Sequence, residues 1–402
     1  MRLDWGPYKH FPYEREFALR EIAALLGANI SLDADGELQP TGANLSEAMK
    51  LTYFASVQSD GLRSDTFQRQ LEKSAASTQR RQSTRYSVHG LHEYRGKFNP
   101  QVCRALINIL GVPQNGVLFD PFCGSGTTLV EAAHSGVVGI GTDLNPLAVF
   151  IANTKLNALI TSADELSSAL ERILDREERA VAIDTIDARR TYLEAWFEPV
   201  ILGQIERLDA AIRAEDERVA AFFLVIASDQ LRKFSLQDPA DLRIRRRASA
   251  NATMPFVDAF AASARDAIRK LASAQAVVGT DLKPGRAYLQ DNRMLTDVDM
   301  PEKADAAITS PPYATALPYI DTQRLSLVWL RLIEPNKIAK IEADLTGSRE
   351  MGTKAKRAGV QAIETNEAQL PEAQAKFCAE LQGALTDQDG FRRQAVPVLL
   401  YR

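Results

Sequence analysis

The chain has 402 residues, 45% hydrophobic and 25% charged, the proportions of a globular protein with room for one large domain or two to three smaller ones. A formal net charge of −4 excludes a wholly basic nucleic-acid binder, so any such contact must come from local clusters of Lys and Arg. Three cysteines (Cys103, Cys123, Cys378) and four histidines (His10, His89, His92, His134) show no metal-ligand spacing. A reducing, cytoplasmic setting fits them. The polar start MRLDWGPYKHFPYERE lacks the apolar core of a signal peptide, and no run of about eighteen apolar residues is present to span a membrane.

Residues 1–87 read as a helical and polar region. EREFALREIAALLG and NLSEAMKLTYFAS carry short helical patterns, and ASTQRRQSTRYS (76–87) reads as a basic linker or surface loop. From residue 88 the texture changes. PQVCRALINILGV is an amphipathic helix, and GVLFDPFCGSGTTLVEAAHSG runs strand, glycine-rich turn, helix. VVGIGTDLNPLAVFIANTKLNAL repeats that scheme, with its strand ending at Asp143. This is βαβ grammar and predicts an α/β fold with a parallel sheet. Residues 155–280 hold long helical patterns with few strand signals, so they read as a mainly helical insertion. Strand texture returns in 281–402, at GRAYLQDNRML and KADAAITSPPY. Two prolines then end the apolar run AAI abruptly.

Within Asp120-Pro-Phe-Cys-Gly-Ser-Gly-Thr-Thr128, Gly124 and Gly126 permit positive φ and close approach of a ligand to the backbone. The helix beginning near Thr127 offers free N–H groups. The turn lacks the third glycine of a dinucleotide site and the Gly-Lys-Ser/Thr of a P-loop. It carries an acid, Asp120, at the strand end instead. That carboxylate would repel a phosphate but accept hydrogen bonds from an ammonium group. A second acid, Asp143, ends the next strand, where a carboxylate can take both ribose hydroxyls. A third, Asp291, follows AYLQ. Three acids at strand tips beside a glycine turn describe a site for adenosine joined to an amino acid, S-adenosyl-L-methionine. A helix cap or an Asx turn is the structural alternative for each acid.

DPFCGSGTTLVEA resembles the cofactor motif of class I S-adenosylmethionine-dependent methyltransferases, and SPPY (310–313) resembles the catalytic tetrad of those that act on exocyclic amines of bases. SPPY is most typical of the DNA cytosine-N4 enzymes. HEYRGKFNPQ (92–101) resembles the family's element before the first strand, which lines the methionine end of the cofactor pocket. The resemblance covers about 88–150 and 285–325. It implies a Rossmann-like class I methyltransferase sheet, with 88–154 as its cofactor-binding half, 155–280 as an insertion suited to target recognition, and 281–402 as its catalytic half. The implied reaction is methyl transfer to N4 of a cytosine flipped out of double-stranded DNA. Adenine N6 and RNA guanine N2 are alternative targets, and an inactive remnant that still binds cofactor or DNA is a non-enzymatic alternative.

The resemblance assigns the catalytic role to Ser310, Pro311, Pro312 and Tyr313. Ser310 and the Pro311 carbonyl accept the amine N–H groups, the prolines fix the loop, and Tyr313 stacks on the base. The cofactor set is Lys97, Phe98, Asp120, Phe122, Gly124, Gly126, Thr127, Asp143, Leu144 and Asp291, with Lys97 meeting the methionine carboxylate and Phe98 covering that end. Tyr319 is a further candidate for the base pocket. Cys123 reads as a small packing side chain rather than a nucleophile, and His89 and His92 as surface or network residues. Phosphate contacts fall to Arg80, Arg81 and Arg85, and to Arg243, Arg245, Arg246 and Arg247 in what reads as a flexible basic loop. Such sheets have seven strands, and the SPPY strand is the fourth. The stretches after Tyr313 read as helix and loop, so the sheet is expected to be C-terminally incomplete, or completed by a second polypeptide, with the SPPY strand as an exposed edge.

Overall fold

The computed structural model describes residues 1–39, 43–73, 82–180, 187–250, 252–293, 303–312, 320–345 and 353–386, with 396, 398 and 401. Its N-terminal unit runs β1 (Arg2–Trp5), α1 (Pro12–Leu26), β2 (Ser31–Leu32), β3 (Leu38–Gln39), α2 (Leu45–Ala48), β4 (Phe54–Ser59), β5 (Leu62–Asp65) and α3 (Phe67–Glu72). The helical expectation for NLSEAMKLTYFAS holds for only one turn. Asn44 caps α2 by accepting the Ser46 N–H; the aromatic and β-branched run Tyr53–Val57 then enters an antiparallel sheet of order β1-β4-β5. Leu3, Ile22, Tyr53, Phe54 and Val57 share a buried core with Ala105 of the following helix, α4 (Pro100–Leu110). The linker reading of 76–87 also fails at its end, because Tyr86 is fully buried.

The central sheet follows. β6 (Val117–Asp120), α5 (Thr127–His134), β7 (Val138–Asp143) and α6 (Pro146–Leu159) form the expected βαβα unit. After it come α7 (Ala163–Arg179), α8 (Ala188–Glu194), α9 (Pro199–Arg213), α10 (Glu217–Phe234) and α11 (Phe256–Val278), then β8 (Gly285–Leu289) and β9 (Ala306–Ala307). The four strands are parallel in the order β8-β7-β6-β9. Successive strands thus step outward from β6 to β8, and the chain then returns to the other side of β6. That reversal leaves a crevice at the carboxyl ends of the strands, the usual ligand position in open α/β sheets. α12 (Arg324–Trp329), α13 (Ile338–Asp344), α14 (Thr353–Thr365) and α15 (Glu372–Thr386) complete the described elements.

Residues 155–280 are helical as expected, yet they are not a separate body. One apolar core runs from Leu129 and Val130 of α5 through Ile151 and Leu156 of α6 to Phe223 of α10, Leu271 of α11 and Trp329 of α12. α6 itself crosses the expected 154/155 boundary. Among the described residues, β9 pairs only with β6, so its outer side carries no strand. No described helix is long and apolar enough to cross a membrane.

Candidate active site

β6 delivers Asp120 to the crevice, and the turn that follows is left-handed at Gly124 (φ 50°) and Gly126 (φ 78°). Both glycines are needed for room as well as φ. A Cβ on Gly126 would stand 2.8 Å from the Ala152 Cβ of α6, and one on Gly124 would stand 3.3 Å from the Tyr94 ring. The turn is thus wedged between α6 and the segment before α4.

Asp143 at the tip of β7 spans the two strand ends. Its Oδ2 accepts the Gly124 N–H at 2.9 Å and its Oδ1 accepts the Asn145 N–H at 2.8 Å. Burial pushes its carboxyl up to about 6, against the pull of these N–H donors, and nearby Asp120 adds to the rise. The Leu144 N–H also acts on this carboxylate, and two oxygens with about four lone-pair sites leave acceptor capacity for a further donor. Asp120 is 2% exposed and accepts the Phe122 N–H at 3.0 Å. Burial raises its pKa, while Thr128 and Thr309 oppose the rise.

One pocket joins these tips. Of the residues expected to hold cofactor, Phe122, Gly124, Asp143, Leu144 and Asp291 line it; Ser310, Pro311 and Pro312 of the tetrad line the same pocket. The β9 segment reaches it because the Ile308 N–H bonds the Phe119 carbonyl at 3.0 Å, extending the parallel register with β6. Tyr313 and Tyr319 lie outside the described residues. Asp120, Gly126 and Thr127 sit behind the wall: Thr127 is 3% exposed, and Gly126 faces Ala152. Asp291 is tied to Arg293 by an ion pair of 2.6 Å.

Lys97 and Phe98 are placed away from this pocket. The Lys97 ammonium donates to the carbonyls of Thr84 at 2.7 Å and His89 at 3.1 Å, and Phe98 packs with Ile107, Leu118 and Ile308. The pocket wall from HEYRGKFNPQ is instead Tyr94, Arg95 and Gly96. The chain reverses near Gly96 (φ 76°), which turns Tyr94 to the pocket and Lys97 to the interior. Asn145, Gln290, Asn292 and Leu345 also line the pocket; the first three lie beside Asp143 or Asp291 in sequence, and Leu345 carried no sequence signal.

The segment that carries Tyr94 is fastened by a buried hub. Glu131 of α5 accepts from Tyr86 Oη at 2.8 Å, His89 Nε2 at 2.7 Å, His134 Nδ1 at 3.2 Å and Arg104 Nε at 3.0 Å. Burial alone would raise the Glu131 pKa, but Arg104 and His134 hold it well below the usual carboxylate range. His89 is driven down to about 3 by burial, so it donates as a neutral imidazole. His89 (1% exposed) and His92 (7% exposed) are thus buried network residues, the second of the two readings their sequence left open. Cys123 is buried in the main core, as a packing side chain should be.

The basic cluster is more ordered than a flexible loop. The Arg247 guanidinium donates to the carbonyls of Ser235 and Lys233, at 2.8 and 2.5 Å from Nη2, and the Arg245 carbonyl accepts the Asp238 N–H at 2.8 Å. Arg243, Arg245 and Arg246 remain exposed, and Arg246 lies 5.9 Å from the Trp196 ring centroid. Arg85 is exposed at the end of its loop, while Arg80 and Arg81 lie outside the described residues.

The sheet order, the glycine turn and the acid-tipped strands define a Rossmann-like class I methyltransferase fold. Residues 91–195 match the family described as UPF0020, an RMKL-like methyltransferase domain, and S-adenosylmethionine is the methyl donor that such a domain implies. Among characterised proteins, the chain is 26% identical over 295 residues to the type II methyltransferase M.MvaI of Kocuria varians, covering 66% of this chain and 63% of that protein. It is 42% identical over 69 residues to the type II methyltransferase M.MjaII of Methanocaldococcus jannaschii, 17% of this chain and 13% of that one. A third match, 38% over 52 residues, is a tRNA (guanine(10)-N2)-dimethyltransferase of Methanothermobacter thermautotrophicus, 13% of this chain and 16% of that one. The chain thus spans less than two thirds of each of these relatives. No solved structure matches it.

The pocket suits such a donor chemically. Its wall offers a carboxylate with free lone pairs at Asp143, an apolar face at Leu144, amides at Gln290 and Asn292, and glycine backbone at Gly124.

Proposed function

We propose that this protein transfers a methyl group from S-adenosylmethionine to the N4 amine of a cytosine flipped out of duplex DNA. The observation that carries this reading is that the acid-tipped cofactor wall and Ser310-Pro311-Pro312 line one pocket. A tetrad serving only as a strand-ending turn has no reason to share a cavity with Asp143 and Gly124.

In this reading Asp143 accepts ribose hydroxyls, Leu144 and Phe122 supply apolar walls, and Asp291 marks the third strand tip. Asp120, Gly126 and Thr127 act from behind the wall by holding the turn. Tyr94, Arg95 and Gly96 take the place first given to Lys97 and Phe98, whose part is to anchor the segment. The bound donor supplies an electrophilic methyl group. The cytosine amine is a weak nucleophile because its lone pair is delocalised into the ring, so the protein must align it and accept its N–H bonds as charge grows on nitrogen. Ser310 and the Pro311 carbonyl are those acceptors, the prolines limit loop motion, and Tyr313 stacks on the base. Arg85, Arg243, Arg245 and Arg246 neutralise phosphates; Arg247 has a structural part through its bonds to Ser235 and Lys233. Among the described residues the outer side of β9 has no strand partner, which supports a second polypeptide or a further strand pairing there.

The type II methyltransferases among the relatives favour DNA. The tRNA guanine-N2 relative favours RNA as the second reading, and adenine N6 is the alternative on DNA. Tritium transfer from labelled S-adenosylmethionine, run in parallel on mixed-sequence duplex DNA and on tRNA, tests the choice. Counts in DNA alone are expected; counts in tRNA alone would overturn the DNA reading.

A further inference from the structure

Lys155 of α6 is an unusual residue for its place. Its side chain is fully buried at 0% exposure, and its ammonium donates to the Ser125 carbonyl at 2.8 Å and the Ser125 hydroxyl at 3.2 Å. Among the described residues no carboxylate pairs with it, and the only charged neighbour acting on it is another cation, Lys97. A lysine side chain buried without a counter-ion is costly to the fold, and a methionine of similar length would fill the same space without that cost.

What Lys155 holds explains its presence. Ser125 lies between the two left-handed glycines of the cofactor turn. The α5 hydrogen-bond ladder begins one residue later, where the Val130 N–H bonds the Gly126 carbonyl at 3.0 Å. The Ser125 carbonyl is therefore outside the ladder and buried, and it needs a donor from elsewhere. Glycine on both sides leaves the flanking peptides free to rotate. Without an anchor, the Ser125 peptide could turn its carbonyl toward the pocket and carry the Gly124 backbone away from the Asp143 carboxylate.

We infer that Lys155 is a positioning residue for the methyl donor: its ε-amino group pins the Ser125 carbonyl and so presets the glycine turn to the cofactor. This rests on the S-adenosylmethionine reading of the pocket. Burial also lowers its pKa well below the usual lysine value, which agrees with a side chain held in place by hydrogen bonds rather than by an ion pair.

The test is calorimetric binding of S-adenosylhomocysteine to the full chain and to Lys155→Met and Lys155→Gln, with a thermal melt of each. Wild-type binding is the control; if it is absent, the cofactor reading falls and this inference with it. Lys155→Met is expected to weaken binding at least tenfold while its melt stays cooperative and within about 5 °C of wild type. In turnover the loss appears in KM for the methyl donor, with kcat little changed. Lys155→Gln keeps a shorter, neutral donor and is expected to recover part of the affinity. Wild-type-like binding by Lys155→Met, within twofold, overturns the inference. Should Lys155→Met fail to fold, Lys155→Gln decides: weaker binding with a normal melt supports the positioning role, and unchanged binding refutes it.

Discussion

The backbone N–H of Gly124 donates to Oδ2 of Asp143 at 2.9 Å, across the tips of β6 and β7. This bond couples the shape of the glycine turn to the charge of one half-buried carboxyl, whose pKa is pushed up to about 6. The ionised form accepts at both oxygens; the protonated form loses one acceptor. Cofactor affinity should therefore rise with pH through about 6 and level off above it, with a slope approaching tenfold per pH unit well below that value. Titration of S-adenosylhomocysteine binding from pH 5 to pH 8 checks this, and Asp143→Asn should bind weakly with no such slope.

Ser310 lines the pocket beside the cofactor wall and is given only an acceptor's role toward the amine. Ser310→Ala should lower kcat by about 10²-fold, the size seen when one transition-state hydrogen bond is removed. Binding of S-adenosylhomocysteine should stay within twofold. A loss confined to cofactor binding would assign Ser310 to the wrong partner.

Glu131 accepts from four side chains on three parts of the chain. Glu131→Ala leaves Arg104 buried and unpaired, which should cost about 3–5 kcal/mol. Urea unfolding would register this as a lower midpoint. The segment bearing Tyr94 should also exchange amide hydrogens faster.

Glu21 of α1 accepts from Thr52 Oγ1 at 2.6 Å and Asn108 Nδ2 at 2.7 Å, yet burial raises its pKa to about 7. Its folded value lies above its unfolded one, so its contribution is full below about pH 4.3 and is lost as pH rises through 7. Glu21→Gln removes that loss. The variant should gain about 3 kcal/mol on wild type between pH 4 and pH 8, measured by denaturant melts at each pH.

The helices of 155–280 share their core with α5, α6 and α12. Replacing residues 163–278 by a short linker should abolish a cooperative melt, because it strips the apolar partners of Ile151, Leu156 and Trp329. A folded deletion product that still binds S-adenosylhomocysteine would show the insertion to be separable.

The strand–turn–strand scheme around Asp120 and Asp143 was readable because its glycines, acids and apolar runs are contiguous. Tetrad and turn were readable as parts of one site only through their likeness to a known family. Local pattern could not tell Tyr94 from Lys97. Both lie in HEYRGKFNPQ, and which one faces the pocket is decided by a backbone reversal at Gly96 and by carbonyls of Thr84 and His89 outside the motif. The antiparallel sheet of 1–65 escaped for a related reason. Leu45, Met49 and Tyr53 have helical spacing, but pairing of β4 with both β1 and β5 outweighs it. Lys155 carried no signal at all, since its meaning depends on a carbonyl 30 residues away.

In the proposed reading one pocket brings a methyl donor to an exocyclic amine of DNA. Its most direct test is nucleoside mass spectrometry of duplex DNA after incubation with the chain and S-adenosylmethionine, with Ser310→Ala as the control. N4-methylcytosine that appears with the wild type and is reduced about 10²-fold with the variant is the predicted result. N6-methyladenine instead, or an unmodified duplex alongside methylated RNA, would contradict it.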